Sequence, residues 1–494
     1  MTLADERLNK LDSPSLAADA GVVLRCRVAA DLMQRGQYED AREALGGLWR
    51  GIGQRPDTQG LDEKTAAEVL LQVGALSGWM GASRQTVGAQ EEAKDLIGES
   101  AALFERAGER AKTALARSDL ALCYWREGAY DEARVLLART FDEFAEADPE
   151  YKAVILLRRV TVECAAGKLH DALTMLKESA RELDASENHA LRGNFHSLYA
   201  VTLRRLGTLE GNGEYFDKAI IEHTAAIYHY EQAHHERYRA YNENNLANLL
   251  RKLGHHREAH EHLDRARAIF LRLEDAGLLA QVDETRARVF IAEKRYAEAD
   301  RAIARAVQTM EKGGGSAILA DALTTQGVVW ARLGDSEKSV NVLLRAVKMA
   351  EEAGALSNAG LAALTLIEEH GAWRTLSQAE LYRLYEHADD LLRDTQDAAD
   401  IERLRACARI VMQRLAGVQF GDENFDLYGA VEELEAKYFE QALEEAGGSV
   451  TRAAKLLGIR HQSFIAMLRT RHQRLLSKRR PTGKRRRSII KESK

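Results

Sequence analysis

The chain has 494 residues, 45% of them apolar, 30% charged and 6% aromatic, with four prolines, four cysteines and a net charge of −6. Helices exclude proline more strongly than any other residue, so its scarcity predicts an almost wholly helical protein without large sheets or Pro-rich linkers. No run approaches ~18 uninterrupted apolar residues and the start, Met1 to Arg7, is charged, so a membrane span and a secretion signal are both unexpected and a cytoplasmic location is expected.

The cysteines, Cys26, Cys123, Cys164 and Cys407, lie far apart with no C-x-x-C pair. That spacing suits neither a zinc ribbon nor a disulfide framework, and they read as buried small apolar residues. The charge is segregated. From Ser449 to Lys494 there are 15 Lys and Arg against the single acid Glu492, a net +14, whereas the rest carries 55 basic and 75 acidic residues, a net −20. An acidic body ending in a strongly basic segment predicts a polyanion-binding terminus joined to a part with another task.

After a short tail (1–16), the chain is dominated by an internal repeat. Small residues recur at Ala41, Ala93, Ala133, Ala172, Ala219, Ala259, Ala299 and Ser339, at intervals of 52, 40, 39, 47, 40, 40 and 40. Each marks the second of two amphipathic helices. The first carries its own small residue at the close crossing, Ala121, Ala200, Ala247, Ala287 or Gly327, and a Gly-centred turn joins the two. The pattern G-x-Y-x-x-A is intact at Gly36 to Ala41 and at Gly128 to Ala133. These residues resemble the tetratricopeptide repeat (TPR) family, in a variety with about 40 rather than 34 residues per unit. The expected fold is all-α: a TPR-like superhelix of helical hairpins over residues 17–370, capping helices over 371–416, and a small terminal domain beyond a linker at 417–427.

The resemblance implies that the first helices line the concave side. Arg204, Tyr241, Asn244, Asn248, Arg251 and Arg288 would then face the groove, where an Asn amide can bond a peptide backbone and Arg a carboxylate. A peptide, a protein or a small acidic ligand is the expected occupant, with an ordinary solvated polar face as the alternative.

The terminal domain is expected over 428–477. A long helix from Tyr428 to Ala446 carries Val431, Leu434, Tyr438 and Leu443 as one apolar stripe, and Gly447-Gly448 stops it. Ser449 is placed to cap a short helix from Val450 to Leu457, Gly458 makes a tight turn, and a third helix runs from Arg460 to Arg471. Two short helices about a glycine turn are the helix-turn-helix arrangement, whose second helix enters the DNA major groove. Gly448-Ser449-Val450-Thr451-Arg452-Ala453-Ala454-Lys455-Leu456-Leu457-Gly458-Ile459 is similar to the helix-turn-helix of the factor-for-inversion-stimulation (Fis) family.

By that resemblance Leu456, Leu457, Phe464 and Leu468 fill the core, while Arg460, His461, Gln462 and Ser463 approach base edges. Ile465, Ala466 and Met467 depart from the family, standing where basic or polar groups are usual. Arg469, Arg471, Arg474, Lys478, Arg479 and Arg480, then Lys484, Arg485, Arg486 and Arg487 in an arm over 478–494, would contact phosphates. The long helix pairs subunits in Fis proteins, which implies a homodimer through Val431, Leu434, Tyr438 and Leu443.

His255, His256, His260 and His262 form the densest histidine cluster, but the order His256-Arg257-Glu258-Ala259-His260 turns Glu258 away from both imidazoles. Gly313-Gly314-Gly315-Ser316 lacks the lysine of a phosphate-binding loop. No metal, cofactor or catalytic activity is expected. The sequence reads as a bacterial, nucleoid-associated regulator of transcription that binds double-stranded DNA and senses a ligand or partner through its array. The alternative is an interaction scaffold whose basic module meets an acidic protein or RNA without sequence preference.

Overall fold

The computed structural model describes residues 18–478, apart from 35–36, 85, 87, 144–148, 314–315, 372–374, 394, 396 and 417–426. The expected tail, nearly all of the linker, and Arg479, Arg480, Lys484, Arg485, Arg486 and Arg487 lie outside the described residues. The chain divides into two compact units, Met1–Leu415 and Ala416–Lys494.

The first unit is a succession of helical hairpins. In chain order they pair α1 (Ala18–Gln34) with α2 (Tyr38–Leu45), α3 (Glu63–Arg84) with α4 (Ala89–Arg106), α5 (Arg110–Arg126) with α6 (Tyr130–Glu143), and α7 (Pro149–Ala165) with α8 (Leu169–Asp184). Then come α9 (His189–Glu210) with α10 (Gly213–Gln232), α11 (Glu236–Lys252) with α12 (His256–Arg272), and α13 (Ala276–Ala292) with α14 (Tyr296–Gly313). The last pairs are α15 (Ser316–Leu333) with α16 (Ser336–Glu352) and α17 (Leu356–His370) with α18 (Gln378–Leu391), followed by α19 (Ala398–Ala416).

The repeated small residues explain this pairing. Ala41, Ala93, Ala133, Ala172, Ala219, Ala259, Ala299 and Ser339 are all fully buried, as are Ala121, Ala200, Ala247 and Ala287 in the facing helices. A larger side chain would push the two helices of a hairpin apart. At Gly327 even a Cβ would collide with Leu343 of α16. Ser339 replaces alanine for a reason: its hydroxyl donates to the Gly327 carbonyl at 2.7 Å and lies 2.8 Å from His370 Nε2, tying α15, α16 and α17 together.

Glycines in the left-handed region, among them Gly128, Gly254 and Gly334, close the turns within hairpins. The turn between α13 and α14 instead puts Lys294 at φ +61°. The core is a string of apolar clusters handed from hairpin to hairpin, as expected where each repeat touches chiefly its neighbours. The largest runs from Ala280 through the last hairpin to Cys407 and Val411, so the helices after Gly371 continue the array's packing.

Along one side, first helices touch first helices: α1 with α3, α3 with α5, α5 with α7, α7 with α9, α11 with α13, α13 with α15 and α15 with α17. They form the inner wall of the superhelix. Its curvature is tight enough that the Arg237 guanidinium of α11 stands 5.8 Å from the ring centre of Tyr38 in α2.

The second unit holds α20 (Leu427–Glu445), α21 (Val450–Leu456) and α22 (His461–Thr470), followed by a short 3-10 turn (Gln473–Lys478). Gly447 and Gly448, at φ +55° and +75°, end α20, and Gly448 N–H donates to the Leu443 carbonyl at 2.7 Å. Ser449 occupies the N-cap of α21 but its hydroxyl makes no capping bond. Gly458, at φ +67°, turns the chain between α21 and α22.

Candidate functional site

The second unit is built around Phe439, Leu443, Ala453, Ala454, Phe464, Leu468 and Leu475, all buried, with Val450, Leu457, Ile459 and Met467 packed around them. The rings of Phe439 and Phe464 meet edge to face at 4.9 Å, which fixes α22 against α20. His472 is buried as well, with its Nε2 3.0 Å from a Glu435 carboxylate oxygen and its ring edge-on to Phe439.

This packing sets what α22 shows to solvent. Arg460, at the N-cap, and His461, Gln462 and Ser463, in the first turn, are all exposed, and Arg469 lies on the exposed side farther along. Arg460 and Arg469 have no ion pair among the described residues, and Arg474 lies within electrostatic reach of Glu440. Met467 turns toward the core, which leaves Ile465, half-buried, and Ala466, exposed, as the apolar part of the outer surface.

Several neighbouring residues depart from the sequence reading. Leu456, read as core, is 58% exposed, and Leu457 alone of that pair packs inward. Lys478 is held by Glu440 and by Glu444, the latter at 2.6 Å, so two carboxylates already neutralise it. These contacts hold its ammonium pKa above the ordinary lysine value. Arg471 lies 3.8 Å from Glu435. Arg452 and Lys455, exposed on α21 with no acid beside them among the described residues, were missed. The Ala-Ala-Lys-Leu-Leu stretch reads as packing, although the position of these two on the solvent side of a two-turn helix marks them.

On α20, Tyr438 is exposed and Val431 and Leu434 are half-buried. Leu443 is fully buried within the unit, because α20 turns it onto Phe464 and Leu468 to complete the three-helix core.

A family model described as "Bacterial regulatory protein, Fis family" matches residues 430–464. The C-terminal module is a Fis-type helix-turn-helix. It follows a TPR-like array that makes up most of the chain. No curated protein matches the sequence. Among solved structures, the apo quorum sensor NprR from B. thuringiensis is similar at 13% identity and TM-score 0.48, covering 70% of this chain and 97% of that one. A Rap protein complexed with Competence and Sporulation Factor is similar at 15% identity and TM-score 0.46, covering 70% and 99%. A tetratricopeptide repeat protein from Parabacteroides merdae is similar at 15% identity and TM-score 0.40, covering 62% and 99%.

In the array, Tyr241, Asn244, Asn248 and Arg251 share one face of α11, spaced by three, four and three residues, as the helical period requires. Arg251 Nε donates to Asn248 Oδ1 at 3.2 Å, and Asn244 Oδ1 is buried without a partner among the described residues. Arg204 of α9 lies within electrostatic reach of Tyr241. Arg288 of α13 is bound to Glu284 one turn earlier and donates to Thr325 Oγ1 at 3.3 Å.

The dense histidines are drawn apart. His262 lies 2.5 Å from Glu243, His260 lies 3.1 Å from Glu293, and His255 lies 3.3 Å from Glu258. Among the described residues no group of three or more His, Cys, Asp or Glu is disposed to hold a metal ion, and no helix is long and apolar enough to cross a membrane.

Proposed function

We propose that the chain is a DNA-binding regulator of transcription in which the array receives a ligand or partner and α22 reads the major groove. One observation carries it: the N-cap and first turn of α22 hold Arg460, His461, Gln462 and Ser463, all exposed, on a compact Fis-type module. Arg and Gln can each direct two hydrogen bonds at a base edge, while Ser and His adapt as donor or acceptor. Arg469 and Arg474 extend this surface toward phosphates, with Arg471 and the sequence-basic arm (Arg479, Arg480 and Lys484 to Arg487) adding to it. Lys478 reaches a phosphate only after leaving Glu440 and Glu444. Arg452 and Lys455 join the phosphate-facing group.

One such module covers little duplex, so the reading includes a homodimer in which Val431, Leu434 and Tyr438 of α20 meet a second copy and two adjacent grooves are engaged. In the array the ligand would lie against Arg204, Tyr241, Asn244, Asn248, Arg251 and Arg288. Deleting 449–494 is expected to abolish retention of duplex DNA in a gel-shift assay while the array keeps its helical signal. Undiminished retention would contradict the proposal. A scaffold that meets an acidic partner or RNA draws on Ile465, which faces outward. A salt titration separates the two readings, because only a regulator keeps a preference for one duplex over random sequence as salt rises.

A further inference from the structure

Phe464 and Leu468 are fully buried and Met467 turns toward the core, which fixes the side of α22 that faces solvent. Along that side Gln462, exposed, is followed one turn later by half-buried Ile465 and exposed Ala466, and one turn after those by exposed Arg469. The outer strip therefore runs polar, apolar, cationic. Thr470 adds no polar reader to the middle turn, because its hydroxyl donates to the Ala466 carbonyl at 2.9 Å.

The apolar turn is out of character with its surroundings. Arg460 and Arg469 precede and follow it on α22, Arg452 and Lys455 are exposed on α21, and none of the four has an ion pair among the described residues. Packing does not account for it, since neither Ile465 nor Ala466 belongs to the apolar cluster that holds the three helices together. It also lies immediately beyond the residues matched by the Fis-family model, which end at Phe464.

A cationic strip laid on a duplex meets phosphates at its margins and base edges between them. In the major groove the apolar member of the base-edge code is the 5-methyl group of thymine. Pressed on a G·C edge, Ile465 would take water from polar atoms and return no hydrogen bond. One helical turn advances about 5.4 Å against about 3.4 Å per base pair, so this turn reaches about one or two pairs beyond the pair that Gln462 addresses. Isoleucine is stiff about χ1, so holding it against a methyl group costs little rotamer freedom.

Resting on the reading of α22 as the helix in the groove, we propose that Ile465, supported by Ala466, contacts thymine 5-methyl groups and makes the protein select thymine beside the bases read by the first turn.

The test uses the full chain and a duplex selected by it from a random pool, with affinities measured by competition gel shift. Each thymine of the selected site is replaced in turn by deoxyuridine, which removes the methyl group and keeps every hydrogen bond. At one or more positions this is expected to weaken binding about fourfold, the factor for one buried methyl group. I465A is expected to bind the thymine and deoxyuridine duplexes equally, while I465V keeps the discrimination. Both variants are expected to hold random duplex within about twofold of the wild type, since phosphate contacts carry that affinity and report an intact module.

Indifference of the wild type to every deoxyuridine replacement would overturn the proposal, as would undiminished discrimination in I465A or an equal loss of selected and random duplex in that variant. Preference for a selected duplex that survives all replacements would sink this inference and leave the regulator reading standing. Absence of any preference over random duplex would remove both.

Discussion

Lys294 shows how a repeat protein tolerates a local misfit. Its turn needs a left-handed residue, which costs a non-glycine side chain about 1–2 kcal/mol, while glycine brings back part of that in unfolded-state entropy. Lys294→Gly is therefore expected to raise stability by about 0.5–1 kcal/mol, read as a higher urea midpoint. His223 and His229 make a second residue-scale case. Burial holds both imidazoles at about 4, below their ordinary 6.5. Between those values the unfolded chain binds more protons than the folded one, so stability is full above about pH 6.5 and is lost as pH falls toward 4. His223→Gln is expected to flatten that fall in thermal melts taken across the window.

Single residues were legible in the sequence where their type allowed one role. The recurring alanines are buried because only a small side chain permits the crossing. Leu456 and Met467 were not: each is apolar, and in a helix of two or three turns the apolar spacing is too short to fix which side faces inward. Packing of Phe439 on Phe464 fixes α22 with Met467 inward, and on α21 burial of Ala453 and Ala454 leaves Leu456 outside.

At the scale of the element, the terminal module separates residues that hold α22 from residues that use it. Leu468 is fully buried, so Leu468→Ala is expected to cost about 2–5 kcal/mol and to abolish the module's folding and duplex retention together. Gln462 is exposed in the first turn, so Gln462→Ala is expected to leave the fold within about 0.5 kcal/mol of the wild type. It should reduce preference for a specific over a random duplex by about 1 kcal/mol or more, measured by competition gel shift. The order of these helices could be read from Gly447-Gly448, Gly458 and the apolar spacing. The neutralisation of Lys478 could not, since Glu440 and Glu444 are 38 and 34 residues away and meet it only once the 3-10 turn folds back on α20.

For the whole molecule, the division into Met1–Leu415 and Ala416–Lys494 predicts two unfolding transitions. Deleting 417–494 is expected to remove one and leave the other in place, read by calorimetry. A single transition that moves on deletion would show the units to be energetically joined. Within the array each hairpin leans on its neighbours, so a core substitution in one should weaken adjacent hairpins more than distant ones.

The hairpin period and the three-helix order of the terminal module are encoded locally, in small residues at crossings, glycines at turns and apolar positions at helical spacing. Which charges meet partners is set by the assembled fold. Ion pairs join residues that are far apart in sequence, and the wrapping of the superhelix, which brings Arg237 to Tyr38, is the sum of small rotations at every hairpin. No single segment encodes that sum, so contacts between residues this distant in the chain exist only when the inner wall is assembled.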